Sequence, residues 1–197
     1  MEAKQLQELV LQALEHERGG KLVYETALQC VQNDDLQEEF EKYLEQTELH
    51  IEELEAVCVA MEYDAELETP GRKIVRSLGA ALVDAMKQAQ AAGDPAAAEI
   101  VACECVVLAE TKDHLDWELL RACAEKMKGD EGEALKEAVD AVEDQEDEHL
   151  YHSKGWCREL WLKSLGLKAV LPPPEERKHV KTAIGAARAE QERDSMR

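Results

Sequence analysis

The sequence predicts an all-α protein: a bundle of four long helices, with a shorter crossover helix between the second and third and a C-terminal tail. Three observations carry this. Ala, Leu, Glu, Lys and Gln, all strong helix formers, dominate the composition. Apolar residues recur every three or four positions, while Val, Ile, Thr and the aromatics, only 4% of the chain, never alternate with period two as a half-buried strand would. Turn formers cut that pattern at Gln32-Asn33-Asp34-Asp35, Thr69-Pro70-Gly71, Gly93-Asp94-Pro95 and Gly129-Asp130. The 197 residues suffice for one domain with a sizeable core.

The first helix runs from about Ala3 to Val31. The turn after it offers Asp34 or Asp35 as the cap of the second, because a short side-chain oxygen satisfies an otherwise orphaned helix N–H. That second helix spans about Leu36 to Tyr63. Pro70 and Gly71 then break the chain, and a shorter helix over about 71–92 carries Ile74, Val75, Leu78, Leu82 and Met86. The third long helix covers about Ala96 to Lys128 and the fourth about Gly132 to Leu165, stopped near Gly166. Tight turns make the first and second helices one hairpin, and the third and fourth another. The long connection between them gives one-crossover bundle connectivity. Residues 1–167 read as this bundle. Residues 168–197 read as a linker with Pro172-Pro173-Pro174 and a charged tail, Arg177, Lys178, Lys181 and Arg188 against Glu175, Glu176, Glu190 and Glu192, forming a weak helix or docking arm.

Each long helix has an apolar stripe that turns polar near its middle. The first reads Leu6, Val10, Ala13, Glu17, Gly20, Tyr24, Ala27, Val31. The second reads Leu36, Phe40, Tyr43, Thr47, His50, Leu54, Val57, Met61. The third reads Ile100, Cys103, Val107, Glu110, then Asp113 or His114, then Trp117 and Leu120. The fourth reads Leu135, Val139, Val142, Glu146, His149, Ser153, Trp156. A buried carboxylate without a partner is costly, so four such interruptions ask for one shared explanation. Glu17 and His50 each lie about sixteen residues from their common turn, which at ~1.5 Å of rise per residue puts them at one depth. Glu110, Glu146 and His149 lie at similar distances from the Gly129-Asp130 turn.

Glu146 and His149 form a Glu-x-x-His pair, whose spacing of three places both side chains on one face. Carboxylate oxygen with imidazole nitrogen suits iron, manganese or zinc better than calcium or magnesium. Taken singly, each group has a plainer reading: His50 as a satisfied core histidine, Glu17 as a partly exposed charge. Together on four helices they point to one or two metal ions. Tyr24 and Tyr43 sit on the inner stripes near that depth, either as core tyrosines with partnered hydroxyls or as electron relays; Trp117 and Trp156 read as packing residues.

On these residues the chain, over about 10–162, resembles the ferritin-like superfamily, in particular rubrerythrin-like proteins and the bacterial YciE/YciF-type stress proteins. That family carries one Glu on the first helix, Glu-x-x-His on the second, Glu on the third and Glu-x-x-His on the fourth. The resemblance assigns metal ligation to Glu17, His50, Glu110, Glu146 and His149, with Asp113 as the further acid three residues after Glu110. The stretch Phe40-x-x-Tyr43-Leu44-Glu45-Gln46-Thr47 is similar to the YciF-type second helix, with a departure: the bridging Glu expected three before His50 is Thr47, and the acid expected beside it is Gln46. The implied function is a ferritin-like metal protein binding iron, with manganese or zinc as alternatives, and reacting with O2 or peroxide in a stress response. The alternatives are a non-catalytic stress or assembly module with a degenerate or structural metal site, and an iron-storage subunit.

Net charge is −21, which disfavours nucleic acid and anionic membranes as partners. With a polar, amphipathic start and no apolar run near the ~20 residues that span a bilayer, a cytoplasmic protein is expected. Its six cysteines, Cys103-x-Cys105 included, are then expected as reduced core residues. A homodimer or higher homo-oligomer is the prior for such a bundle.

Overall fold

The computed structural model describes residues 2–196; Met1 and Arg197, at the two ends of the sequence-defined regions, lie outside the described residues. Among those residues the chain forms seven α-helices, a closing 3-10 turn and no strand, as the all-α pattern predicts.

Helix α1 (Ala3–Ala27) stops before Val31. Its apolar face carries on, but Gln29 N–H bonds Thr26 O and Cys30 N–H bonds Ala27 O, tightening the last turn away from α geometry. Helix α2 (Asp34–Ala60) is capped by Asn33, whose side chain accepts from Leu36 N–H. The expected caps, Asp34 and Asp35, instead occupy the first turn, where their charge complements the helix dipole. Helix α3 (Pro70–Ala91) starts on a Thr69 cap with Pro70 at its first position. Asp94 caps α4 (Pro95–Ala124). Gly129, at φ 81°, makes the left-handed turn into α5 (Asp130–Ser164).

Helix α1 packs on α2, α3 and α4, and α5 packs on α4 and α2, so α1, α2, α5 and α4 close a ring of contacts. Helix α3 lies outside it, against α1 and α4. The apolar interior is split in two. One cluster holds Val23, Tyr24, Leu36, Phe40, Tyr43, Cys103, Val106, Trp156 and Leu160. The other holds Leu6, Val10, Leu14, Leu54, Val57, Trp117, Leu120, Leu135 and Val142. On every helix of the ring the gap between them falls where the stripe turns polar.

The C-terminal segment folds back on α5 instead of standing off as an arm. Short helices α6 (Pro174–Arg177) and α7 (Ala183–Glu192) follow the proline run, with α6 against α5. Val170 N–H and Arg193 both donate to Glu159 of α5, and His152 of α5 meets the Val180 carbonyl through Nε2 at 3.1 Å. Cys30, Cys58, Cys103 and Cys105 are buried free thiols, with Cys123 and Cys157 half-buried. Among the described residues no helix is long and apolar enough to cross a membrane.

Candidate metal centre

The gap between the two apolar clusters is filled by one layer of ionisable side chains. Glu17 comes from α1, His50 from α2, Glu110 and Asp113 from α4, and Glu146 and His149 from α5, all buried. His50 Nδ1 lies 3.3 Å from Glu17 Oε1 and 3.0 Å from Glu146 Oε1. His149 Nδ1 lies 3.5 Å from both Glu110 Oε2 and Glu146 Oε1. The layer thus contains two triads, Glu17–His50–Glu146 and Glu110–His149–Glu146, with ligand atoms within 4.8 Å of one another and Glu146 common to both.

Asp113 stands outside the triads but belongs to the layer: it is buried, and its Oδ1 has no hydrogen-bond partner. His114, the alternative at this turn, faces away and meets Asp147 at 2.9 Å. Thr47, one turn before His50, is buried but brings no carboxylate to the layer, and Glu45 is exposed.

The unmet bonding capacity of the molecule concentrates here. Among the described residues, the buried side-chain atoms with no hydrogen-bond partner are Glu17 Oε2, His50 Nδ1, Glu110 Oε2, Asp113 Oδ1 and both Glu146 oxygens, and elsewhere Ser153 Oγ and Arg121 Nη2, the latter lying against Glu143. Each such orphan costs about 1–3 kcal/mol, more when charged, and they share one small volume.

Outer partners hold this layer in place. Tyr24 donates to Glu110 Oε1 at 2.8 Å and Trp117 Nε1–H to Glu17 Oε1 at 2.8 Å. So each of these carboxylates has one oxygen anchored and the other free. Trp117, expected as packing, is therefore also an anchor. The imidazoles are held from behind by amides, Gln145, which sequence reasoning passed over, and Gln46, which it named only as standing in place of an expected acid: His50 Nε2 lies 3.0 Å from Gln145 Oε1, and His149 Nε2 2.9 Å from Gln46 Oε1. A signal was present. Gln46-x-x-x-His50 and Gln145-x-x-x-His149 repeat one spacing on the two helices that bring a histidine to the layer.

The electrostatics are those of a site in want of positive charge. Burial opposes a charged His50, yet Glu17 and Glu146 lift its pKa well above the usual histidine value. Burial, reinforced by Glu110 and Glu17 against the pull of His50, raises Glu146 to about 6. Burial and the Glu17, Glu146 and Glu110 carboxylates push Asp113 well up. Burial would raise Glu110 too, but His149 and Tyr24 bring it below the ordinary carboxylate value. A cavity of about 240 Å³ leads in from outside, lined by Trp117, Glu118, Glu143, Glu146, Asp147 and Thr182. A larger one of about 300 Å³ between α1, α3 and α4 is lined mainly by apolar groups and borders none of the orphaned atoms.

No family model, curated protein or solved structure matches the chain.

Proposed function

We propose that this protein is a ferritin-like four-helix bundle, with α3 as its crossover helix, that binds iron in its polar layer as a pair of ions or an asymmetric site. The observation that carries the reading is the pair of triads sharing Glu146, with unpartnered ligand atoms turned towards each other in an otherwise apolar interior. The donor set fits: two imidazole nitrogens with three carboxylates suit iron, and also manganese or zinc. Glu17, His50 and Glu146 would hold one ion and Glu110, His149 and Glu146 the other, with Asp113 as a fourth carboxylate beside them.

Iron held there supplies one-electron chemistry towards O2 or peroxide, the class that the family resemblance implies for a stress response. The protein's own groups do the rest. Tyr24 and Trp117 fix one oxygen of Glu110 and of Glu17, so the free oxygens are aimed before an ion arrives. Glu118, Glu143 and Asp147 line the outer cavity and concentrate cations along the way to Glu146. The two apolar clusters above and below keep bulk water from the layer.

A second reading, a structural metal site without turnover, is favoured by one observation: Thr47 brings no carboxylate to the place of the second bridge. Ferrous iron added to metal-free protein in an oxygen-electrode cell separates the two. Stoichiometric binding with consumption of O2 or peroxide supports the redox reading, and tight binding without consumption supports the structural one. If Glu17→Ala, Glu146→Ala and His149→Ala each leave metal content unchanged, both fail.

A further inference from the structure

The two histidines of the layer are held by a crossed pair of amides. Gln46 stands one turn before His50 on α2 but contacts His149 of α5; Gln145 stands one turn before His149 on α5 but contacts His50 of α2. The polarity of this arrangement can be traced from a fixed point. The carbonyl of Ala141 only accepts, and it lies 3.3 Å from Gln145 Nε2, so that end of the amide is the NH2. The oxygen end then faces His50 Nε2 at 3.0 Å. An amide oxygen also only accepts, so Nε2 carries the hydrogen, and Nδ1 is the atom presented to Glu17 and Glu146. His149 repeats the geometry, with Nε2 against Gln46 Oε1 at 2.9 Å and Nδ1 facing Glu110 and Glu146.

A carboxylate at either amide position would accept the same hydrogen bond. It would also add a negative charge and draw the imidazole towards its more basic, imidazolate-like form. Amides orient without adding charge. The inner layer then carries three carboxylates in the triads and Asp113 as a fourth, while Thr47 adds none. Four negative charges balance two divalent ions. Two trivalent ions would leave an excess of positive charge in a dry interior, where net charge is costly.

Resting on the metal-binding reading above, we infer that Gln46 and Gln145 are positioning residues that hold both histidines with Nε2–H outward and Nδ1 turned to the layer, and match the centre to divalent over trivalent ions. The discrimination comes from the outer residues and the missing carboxylate together, and it is reversible by design: carboxylates in place of the amides restore negative charge while keeping the hydrogen bonds.

The test uses the full chain and two redox-inert probes, zinc(II) and gallium(III), in competition titrations of wild type, the Gln46→Leu/Gln145→Leu double variant and the Gln46→Glu/Gln145→Glu double variant. Wild type is expected to bind zinc in preference to gallium. The Leu variant is expected to lose zinc affinity by about 10–100-fold. The Glu variant is expected to keep zinc and to move the gallium-to-zinc affinity ratio up by roughly tenfold or more. Thermal melts of the metal-free variants expose a merely structural tie between α2 and α5: a lowered melting point in the Leu variant with unchanged zinc affinity overturns the inference. So does a Glu variant whose ion preference equals that of wild type. In either case the metal-binding reading stands, because wild type has bound zinc. A wild-type chain that binds neither probe overturns both.

Discussion

Glu146 and Glu159 lie on the same helix, 1% and 0% exposed, yet their surroundings are opposite. Glu159 accepts from Arg193 Nε at 2.5 Å and Nη2 at 2.8 Å, from Arg158 at 3.0 Å and from the Val170 N–H at 2.8 Å. Burial would raise its pKa, but those donors hold it below the ordinary carboxylate value. Glu146 has neither oxygen hydrogen-bonded and sits among other carboxylates. Helix α1 repeats the contrast. Glu15 is gripped by Arg72 and Arg76, whereas Glu17, two residues on, keeps a free buried oxygen. The buried carboxylates outside the layer all have donors: arginines at Glu15, Glu159 and Glu175, Lys112 at Asp116, and the Gln32 and Asn33 N–H groups at Glu99. In the middle of the bundle Glu146 and the free oxygens of Glu17 and Glu110 have no such donor, and on the proposed reading a cation from outside completes the layer.

The largest effect should come from breaking the satisfied side of that contrast. Arg193→Ala strips Glu159 of its main partner inside the fold and should cost about 3–5 kcal/mol in urea unfolding. An unchanged midpoint would remove one half of the comparison. Next comes the unsatisfied side. Zinc at about a thousand times its dissociation constant should stabilise the protein by about 4 kcal/mol, seen as a melting shift that chelator reverses and that Glu146→Gln abolishes. Coincident melts with and without zinc would show that the layer gains nothing from a cation.

A smaller effect belongs to Glu176, which meets Trp156 Nε1–H in the C-terminal segment. Burial, with Glu39 nearby, raises its pKa to about 7. A carboxyl raised on folding favours the folded state while protonated. Its contribution is full below the unfolded value and is lost as pH rises through about 7. Glu176→Gln should therefore gain stability at pH ~8 and leave pH ~4 unchanged; the group is only partly buried, so about 1 kcal/mol is expected. Equal effects at both pH values would contradict this. The smallest change is Tyr24→Phe, which removes the 2.8 Å bond to Glu110. It should weaken zinc binding by about 1 kcal/mol, roughly fivefold, with Glu110 still in place.

The helices were legible because period and punctuation agree; the breaks at Thr69-Pro70-Gly71 and Gly93-Asp94-Pro95, with helices expected from about 71 and 96, lie where Pro70 and Pro95 begin α3 and α4. The polar layer was legible in outline because Glu17, His50, Glu110 and Glu146 interrupt otherwise apolar stripes. Less visible was anything decided by a partner on another helix. Periodicity cannot tell that Asn33 rather than Asp34 turns its oxygen to Leu36 N–H, since all three residues cap well. Gln46 and Gln145 lie at the edge of the stripe, half-buried, where a glutamine looks like surface until the imidazole across from it is known. The docking of the C-terminal segment depends on Glu159, which in sequence is one acid among 44 in Asp and Glu. Its burial follows from Arg158 and Arg193 meeting over it.

Metal analysis after equilibrium dialysis of metal-free wild type and Glu146→Gln against ferrous iron, without oxygen, tests the central claim most directly, because Glu146 is the one residue common to both triads. The account predicts retained iron in wild type and its loss in the variant. Wild type that retains none, or a variant that retains as much as wild type, would contradict it.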